Sequence, residues 1–260
     1  MSDEKKYMTD EEAKEAILDI GRRMYLRDFV SSNDGNISVK VSDTELWATP
    51  TGVSKGYIKI EQLVKMDMDG NVLEGTAKPS SEIKMHLGVY KEDPTVQAVT
   101  HAHPLVATAL SIAGISLNKA VNTEAVLSLG NIGVAEYATP GTYEVPDSIA
   151  SYVKDKNGVM LANHGALTWG DSIYQAFYAL ESLENCAKSE VLTHYILGKQ
   201  NYLSDNQVAT LMEVREKLGI KKGGIPVYTK ENPNPESSDK ENQFIEKIAR
   251  RVADILKEEK

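Results

Sequence analysis

"VQAVTHAHP", residues 96–104, sets an apolar, β-branched run directly against two histidines and a proline. The run predicts a strand, and the proline, which cannot continue a ladder, predicts its end and a helix beyond it. Side chains alternate faces along a strand, so His101 and His103 point to the same side, about 7 Å apart along the backbone. Two rings at that separation can close onto one metal ion, or they can be two imidazoles satisfied by backbone carbonyls. A catalytic zinc commonly takes three protein ligands and leaves a fourth position open, so chelation calls for a third donor elsewhere. "LANHGAL" (161–167) offers His164, where a predicted buried strand ends in a turn at Gly165. Such strand ends are where α/β sheets place their sites.

The other two of the five histidines test this reading. His86 lies one helical turn after Glu82 and is the rival ligand, whereas His194 sits deep in an expected long helix and reads as structural. Glu82, in "KPSSEIKMH" (78–86), opens a helix just behind Ser80 and Ser81. The trio is either a base beside an anion-holding set of hydroxyls and N–H groups, or a helix start with its ordinary cap and favourable dipole charge. "NDGNISV" and "TPTGVSKG" pose the same choice. Gly35-Asn36 and Thr51-Gly52 are either ordinary turns or nests of N–H groups that cradle a phosphate.

Around these motifs the chain alternates helix and strand. "TDEEAKEAILDIGRRMYLRDF" (9–29) opens with Thr9 and Glu12 as a capping box and carries Ala13, Ile17, Ile20 and Met24 at helical spacing. "NISVKV" and "ELWAT" predict strands, and "LVKMDMDGNVLEG" predicts a hairpin turned at Asp69-Gly70-Asn71. Helices are expected from "SSEIKMHLGVY", after Pro104, and over Asp171–Leu197 and Ser204–Leu218, with a strand at "GVMLAN". The fold class is mixed α/β in layers.

Composition narrows the function classes. The chain's 260 residues, 41% hydrophobic, can bury one substantial core. Its 29 Lys and Arg against 38 Asp and Glu give a net charge of -9 with no basic stripe, which argues against nucleic acid as a partner. The charged start lacks an apolar signal region, and no run of about 18 apolar residues follows, so a soluble, cytoplasmic protein without a membrane partner is expected. Cys186, the only cysteine, lies in an apolar-periodic run and reads as core packing.

After a body spanning 1–222, apolar periodicity gives way to Gly, Pro, Ser and charge over 223–241, a flexible linker. Residues 242–260 then predict a detached amphipathic helix, with Phe244, Ile245, Ile248, Val252, Ile255 and Leu256 on one face. Such a tail either completes a core or docks on a partner. It resembles the encapsulation peptides that tether enzymes inside bacterial microcompartments, which implies shell or cargo proteins as partners.

"GNIS", "TPTG", "PSSE", "HAH" and "NHG" occur in the order and approximate spacing of the class II aldolase and adducin family, which this chain resembles over roughly residues 10–218. The resemblance implies a three-layer fold with a central, mainly antiparallel sheet flanked by helices. It implies one Zn²⁺ per subunit on His101, His103 and His164, with Glu82 a resting ligand that leaves to act as base and acid. Gly35, Asn36, Thr51, Gly52, Ser80 and Ser81 would hold the substrate phosphate. The implied reaction is aldol cleavage of an L-fuculose or L-rhamnulose type ketose 1-phosphate to dihydroxyacetone phosphate and lactaldehyde, in a homotetramer. Sister reactions stay open on the same motifs: 4-epimerase, dehydratase and decarboxylase, and outside catalysis an adducin-like scaffold module. Relatives that are sugar-phosphate 4-epimerases tend to carry aspartate where this chain has Glu82, which favours cleavage. Where the resemblance implies tyrosines from a neighbouring subunit at the aldehyde end, this chain places Asn122 and Leu218.

Overall fold

A computed structural model describes residues 7–226, so the tail helix expected at 242–260 and all of the linker beyond Pro226 lie outside the described residues. Helix α1 (Asp10–Leu26) starts where the capping box puts it: Thr9 Oγ1 accepts from the Glu12 N–H, and the Glu12 carboxylate accepts from the Thr9 N–H. Such a cap contributes about 1 kcal/mol. Its buried side, Ala13, Ile17, Ile20 and Met24, is the predicted one.

Strands β1 (Asn36–Lys40), β2 (Glu45–Ala48), β3 (Val64–Asp67) and β4 (Val72–Glu74) form an antiparallel meander, with the expected hairpin between the last two. Fully buried Trp47 donates its indole N–H to Asp10 at 2.9 Å, fastening β2 to the first turn of α1. Helix α2 (Ile83–Glu92) leads to β5 (Ala98–Ala102), and α3 (Leu105–Ala113) follows Pro104 as expected. Then come the two-residue β6 (Val134–Ala135), α4 (Glu144–Val153), β7 (Gly158–Leu161), β8 (Gly165–Gly170), α5 (Ile173–Glu190) and α6 (Asp205–Lys217).

One eight-stranded sheet runs β4-β3-β2-β1-β5-β8-β7-β6 and is antiparallel except where β6 meets β7. Strand alternation divides the core. Ile37 and Val39 of β1, with Ala98 and Ala102 of β5, pack with α1, α3 and α5 on one face. Val99 of β5, with Leu167 and Trp169 of β8, packs with α2 and α4 on the other. The result is the three-layer, mainly antiparallel α/β fold. Cys186 is buried in the first of these cores.

Three details differ from the sequence reading. Strand β8, a six-residue run with a glycine at each end, went unread because its pairing with β5 and β7 is tertiary, and α4 because Pro146 interrupts its pattern. A proline in a first helical turn is tolerated, since the N–H it lacks would have no partner within the helix. The expected helix from Asp171 to Leu197 is continuous but changes its winding, α-helical over Ile173–Glu190 and π-helical over Val191–Ile196. His194 sits half-buried in the π-helical part, its ring against Tyr195. At the other end of the body, hydrogen bonds from Asn131 to the carbonyls of Gly223 and Ile225 carry the packed chain to residue 225. Among the described residues no helix is long and apolar enough to cross a membrane.

Candidate metal centre

The fold brings two strand ends and one helix start together. Strand β5, held between β1 and β8, places His101 in its last turn of pleat and His103 just past its end. His103 is fixed by its own N–H, which donates to the Phe29 carbonyl at 2.9 Å. His164 stands in the tight turn between β7 and β8, where Asn163 adopts a left-handed φ of 57° and the His164 N–H returns to the Leu161 carbonyl. Gly165 makes this approach possible: a Cβ there would lie 2.5 Å from the Ala102 carbonyl oxygen and 2.6 Å from the His103 ring.

The three imidazoles converge. One nitrogen of each lies within 4.8 Å of the others, a group able to hold a metal ion. His101 Nδ1 is 2.9 Å from the Ala166 carbonyl, a contact that only a protonated nitrogen can make, so the lone pair is on Nε2 and faces inward. That Nε2 lies 3.1 Å from His103 Nε2. On the outer side of His103, Asp34 Oδ2 stands 3.5 Å from Nδ1 and favours the proton there, which turns a second lone pair toward the first. Two facing lone pairs repel unless a cation lies between them, and the donor set fits one.

Burial keeps His101 and His103 neutral, as metal ligation requires. It drives His101 well below its ordinary value, aided by the neighbouring rings and opposed by Glu82. His103 is lowered for the same reason, burial first and then His164. Glu82 reaches in from the residue preceding α2, with Oε1 3.0 Å from His164 Nε2 and Oε2 3.6 Å from His101 Nε2. Burial pushes its carboxyl up, but His101, His164 and the Asn36 amide together pull it below the usual carboxylate range, so it is ionised.

The loops named as phosphate holders meet beside this cluster. Pro50 pairs with Pro79 in an isolated bridge, the Ser80 N–H approaches the Thr49 carbonyl at 3.4 Å, and the Thr51 N–H donates to the Lys78 carbonyl at 2.9 Å. What Thr51 offers a ligand is therefore its hydroxyl. Gly35 requires its missing side chain, because its φ is 75° and a Cβ would lie 2.6 Å from Val30 and 2.9 Å from the His101 carbonyl. Gly52, φ 73°, has open space where a Cβ would stand. Asn36 directs its amide nitrogen at Glu82 Oε2, 2.8 Å, and at Ser80 Oγ, 3.3 Å. Ser80 Oγ in turn accepts from the Glu82 N–H at 3.3 Å, and Ser81 stands near Gly141.

The structure adds residues that the sequence reading did not single out. Lys55 is almost fully buried, and its ammonium donates to the carbonyls of Asn33 and Val53, strapping the two glycine loops together. Burial lowers it to about 8, opposed by Asp34 and Glu82. The rival ligand His86 is not in the triad: it is buried on α2 and bonded to Asn36 and Ser38. Asp34 and Lys55 both lie in the quoted motifs, and a lone acid and a lone lysine beside glycine turns were the available signal.

Comparisons with known proteins find relatives both by sequence and by fold. Residues 15–191 match the family described as the class II aldolase and adducin N-terminal domain. A 3-oxo-tetronate 4-phosphate decarboxylase of Haemophilus influenzae is 34% identical over 209 residues, covering 78% of this chain and 98% of its own. An L-fuculose phosphate aldolase of Methanocaldococcus jannaschii is 34% identical over 182 residues, covering 69% and 96%. A solved L-fuculose 1-phosphate aldolase superposes with a TM-score of 0.73 at 31% identity, covering 82% of this chain and 98% of that one.

Proposed function

The chain belongs to the class II aldolase and adducin family, a metal-dependent lyase by that membership, and on this premise we propose that it is a zinc enzyme cleaving a deoxyketose 1-phosphate of the L-fuculose or L-rhamnulose type. The observation that carries the reading is the ionised Glu82 carboxylate set against three convergent imidazoles. His101, His103 and His164 hold one Zn²⁺ per subunit, with Glu82 as an additional ligand at rest. The bound metal supplies a Lewis acid for the substrate carbonyl. Gly35, Asn36, Thr51, Gly52, Ser80 and Ser81 cradle the phosphate, with the Lys55 charge behind two of their loops. Glu82 accepts the proton of the C4 hydroxyl as the C3–C4 bond breaks and the aldehyde leaves. The bonding electrons pass into the enediolate of dihydroxyacetone phosphate, and Glu82 returns a proton to C3.

A second reading has its own support in the longer match to the Haemophilus decarboxylase. Loss of carbon dioxide from a 3-oxo-tetronate 4-phosphate leaves the same enediolate with no hydroxyl proton to remove, so the two reactions differ in what departs and in whether Glu82 must first act as a base. Purified protein incubated with L-fuculose 1-phosphate, L-rhamnulose 1-phosphate or 3-oxo-tetronate 4-phosphate, and coupled to a dihydroxyacetone-phosphate reductase, separates them. Cleavage predicts lactaldehyde from a ketose phosphate. Carbon dioxide from the oxo acid alone would move the assignment to the decarboxylase.

The same reading makes the protein a cytoplasmic homotetramer, which light scattering at micromolar concentration tests, a monomer contradicting it. Residues 242–260 direct it to microcompartment shell or cargo proteins. A fluorescent protein carrying that tail should form puncta only when shell proteins are coexpressed, and diffuse fluorescence in their presence would end the targeting idea.

A further inference from the structure

His86 takes no part in the triad, yet it is fully buried one helical turn from Glu82. Each ring nitrogen has one close partner: Nε2 lies 2.5 Å from Asn36 Oδ1, and Nδ1 lies 2.7 Å from Ser38 Oγ. Strand β1 explains the placement. Asn36 and Ser38 are two residues apart and so share the face that α2 covers, and the ring fits across both. Tyr90, one turn further along α2, closes the far end with its hydroxyl 2.7 Å from Ser38 Oγ and 3.0 Å from the Ser38 carbonyl.

The direction of every proton in this chain follows from its exposed end. An ionised carboxylate only accepts, so Asn36 must present its NH2 to Glu82. Its oxygen then faces His86 and can only accept, which requires a proton on Nε2. A neutral ring with that proton leaves Nδ1 bare, and Nδ1 accepts from the Ser38 hydroxyl. Ser38 Oγ is thereby left to accept from Tyr90, whose single hydroxyl proton is shared between Ser38 Oγ and the Ser38 carbonyl. Turning the Asn36 amide over would set oxygen against oxygen at Glu82, and to keep a bond at His86 the ring proton would have to move to Nδ1 and the Ser38 bond reverse, so amide orientation and ring tautomer are tied together in a buried network where unmade bonds are costly.

We propose that His86 is a positioning residue: it locks the Asn36 amide so that the NH2 grips one oxygen of Glu82, and thereby fixes where that carboxylate stands. The assignment rests on Glu82 being the acid–base group, as argued above. It differs from a merely structural role because only the Nε2 side of the ring points toward the chemistry.

Two substitutions separate the sides. In His86→Gln the side-chain amide reaches about where Nε2 stood and can still donate to Asn36. In His86→Asn it reaches about where Nδ1 stood and serves only Ser38. Each loses one buried hydrogen bond, so a structural role predicts equal effects. Positioning predicts that Gln keeps kcat within about threefold while Asn lowers it about a hundredfold at little changed KM, the low end of what proton transfer contributes. Equal kcat in the two variants, or a worse Gln, would overturn the proposal.

A measurement on metal-free protein keeps this apart from the assigned reaction. In ¹⁵N-asparagine-labelled protein, the Asn36 side-chain NH2, identified by its loss in Asn36→Ser, should exchange slowly with solvent in wild type and His86→Gln, and at least tenfold faster in His86→Asn. Slow exchange in all three refutes the lock whatever the substrate proves to be. Wild-type protein alone supplies a check should His86→Asn fail to fold: ¹⁵N imidazole spectra should show His86 with its proton on Nε2, and a proton on Nδ1 would refute the hydrogen-bond order.

Discussion

His101, His103 and His164 stand on strand ends bonded to neighbours on both sides, whereas Asn122 and Leu218 occupy positions with little to hold a substrate. Asn122 turns its side chain inward, its oxygen accepting from the Ala125 N–H at 2.6 Å and its nitrogen 3.9 Å from Cys186 Sγ. Leu218, the residue that ends α6, is 62% exposed. The metal end is preorganised by the fold of one chain, and that geometry serves every reaction that begins by drawing electrons toward a carbonyl. Asn122 and Leu218, the positions that the resemblance sets at the aldehyde end, are not so organised within this chain. Relatives of equal identity bear an aldolase and a decarboxylase name, and we propose that the metal end is common to the two reactions while the choice between them falls at the second end.

The largest effect should come from breaking the organised end. His101→Ala or His164→Ala removes one of three ligands, and stoichiometric zinc should be lost from both. His164 stands in a turn, so its variant should keep the fold, whereas His101 is fully buried on β5 and its variant is checked for folding by circular dichroism. Turnover should drop about a thousandfold or more, since Lewis-acid stabilisation is worth several kcal/mol. Elemental analysis beside the coupled assay reads both, and full zinc in either variant would dissolve the contrast. Next comes Glu82→Gln, which keeps shape and metal but removes the proton carrier. Its turnover should fall about a hundredfold to ten-thousandfold, and near-normal turnover would move the base elsewhere.

Gly165→Ala is a subtler break, with no ligand changed. The new Cβ would press on the Ala102 carbonyl and the His103 ring, and neither can retreat without moving β5 or the ligand. Metal affinity should weaken about tenfold to a hundredfold, the range seen when groups supporting a ligand are disturbed. Competition with a chromogenic chelator measures it, and unchanged affinity would show that the strand ends tolerate more slack than their hydrogen bonds suggest.

The same contrast explains what could be read from sequence. Strand alternation and a turn glycine made His101, His103 and His164 candidates, but local rules also allowed satisfied imidazoles, and the three were joined as ligands by the resemblance. The sheet was legible wherever a strand alternated or a hairpin turn was marked, and β8 escaped because its pairing with β5 and β7 is a tertiary fact. His86 looked like a ligand because helical spacing puts it over Glu82. Nothing local says that Asn36 and Ser38, some fifty residues earlier by subtraction of their numbers, will take both ring nitrogens. Lys55 and Asp34 are of the same kind: their partners are the carbonyls and rings of other loops, visible only once the loops have met.

The smallest expected effect sharpens the comparison from its other side. Replacing Asn122 or Leu218 with tyrosine restores the residue type that the aldehyde end carries in the aldolases this chain resembles, without touching a ligand or Glu82. Zinc content should be unchanged. Leu218 is exposed, so Leu218→Tyr should alter stability by no more than about 0.5 kcal/mol. Asn122→Tyr will cost more, because the Ala125 N–H loses its acceptor. If the second end governs which fragment leaves, the variants should shift the ratio of ketose-phosphate cleavage to oxo-acid decarboxylation by about tenfold, a usual worth of one well-placed contact in a pocket. The readout is lactaldehyde against carbon dioxide at equal dihydroxyacetone phosphate. A shift of both activities in parallel would mean that these two positions tune the common step, and that the choice of leaving group is made at the metal end after all.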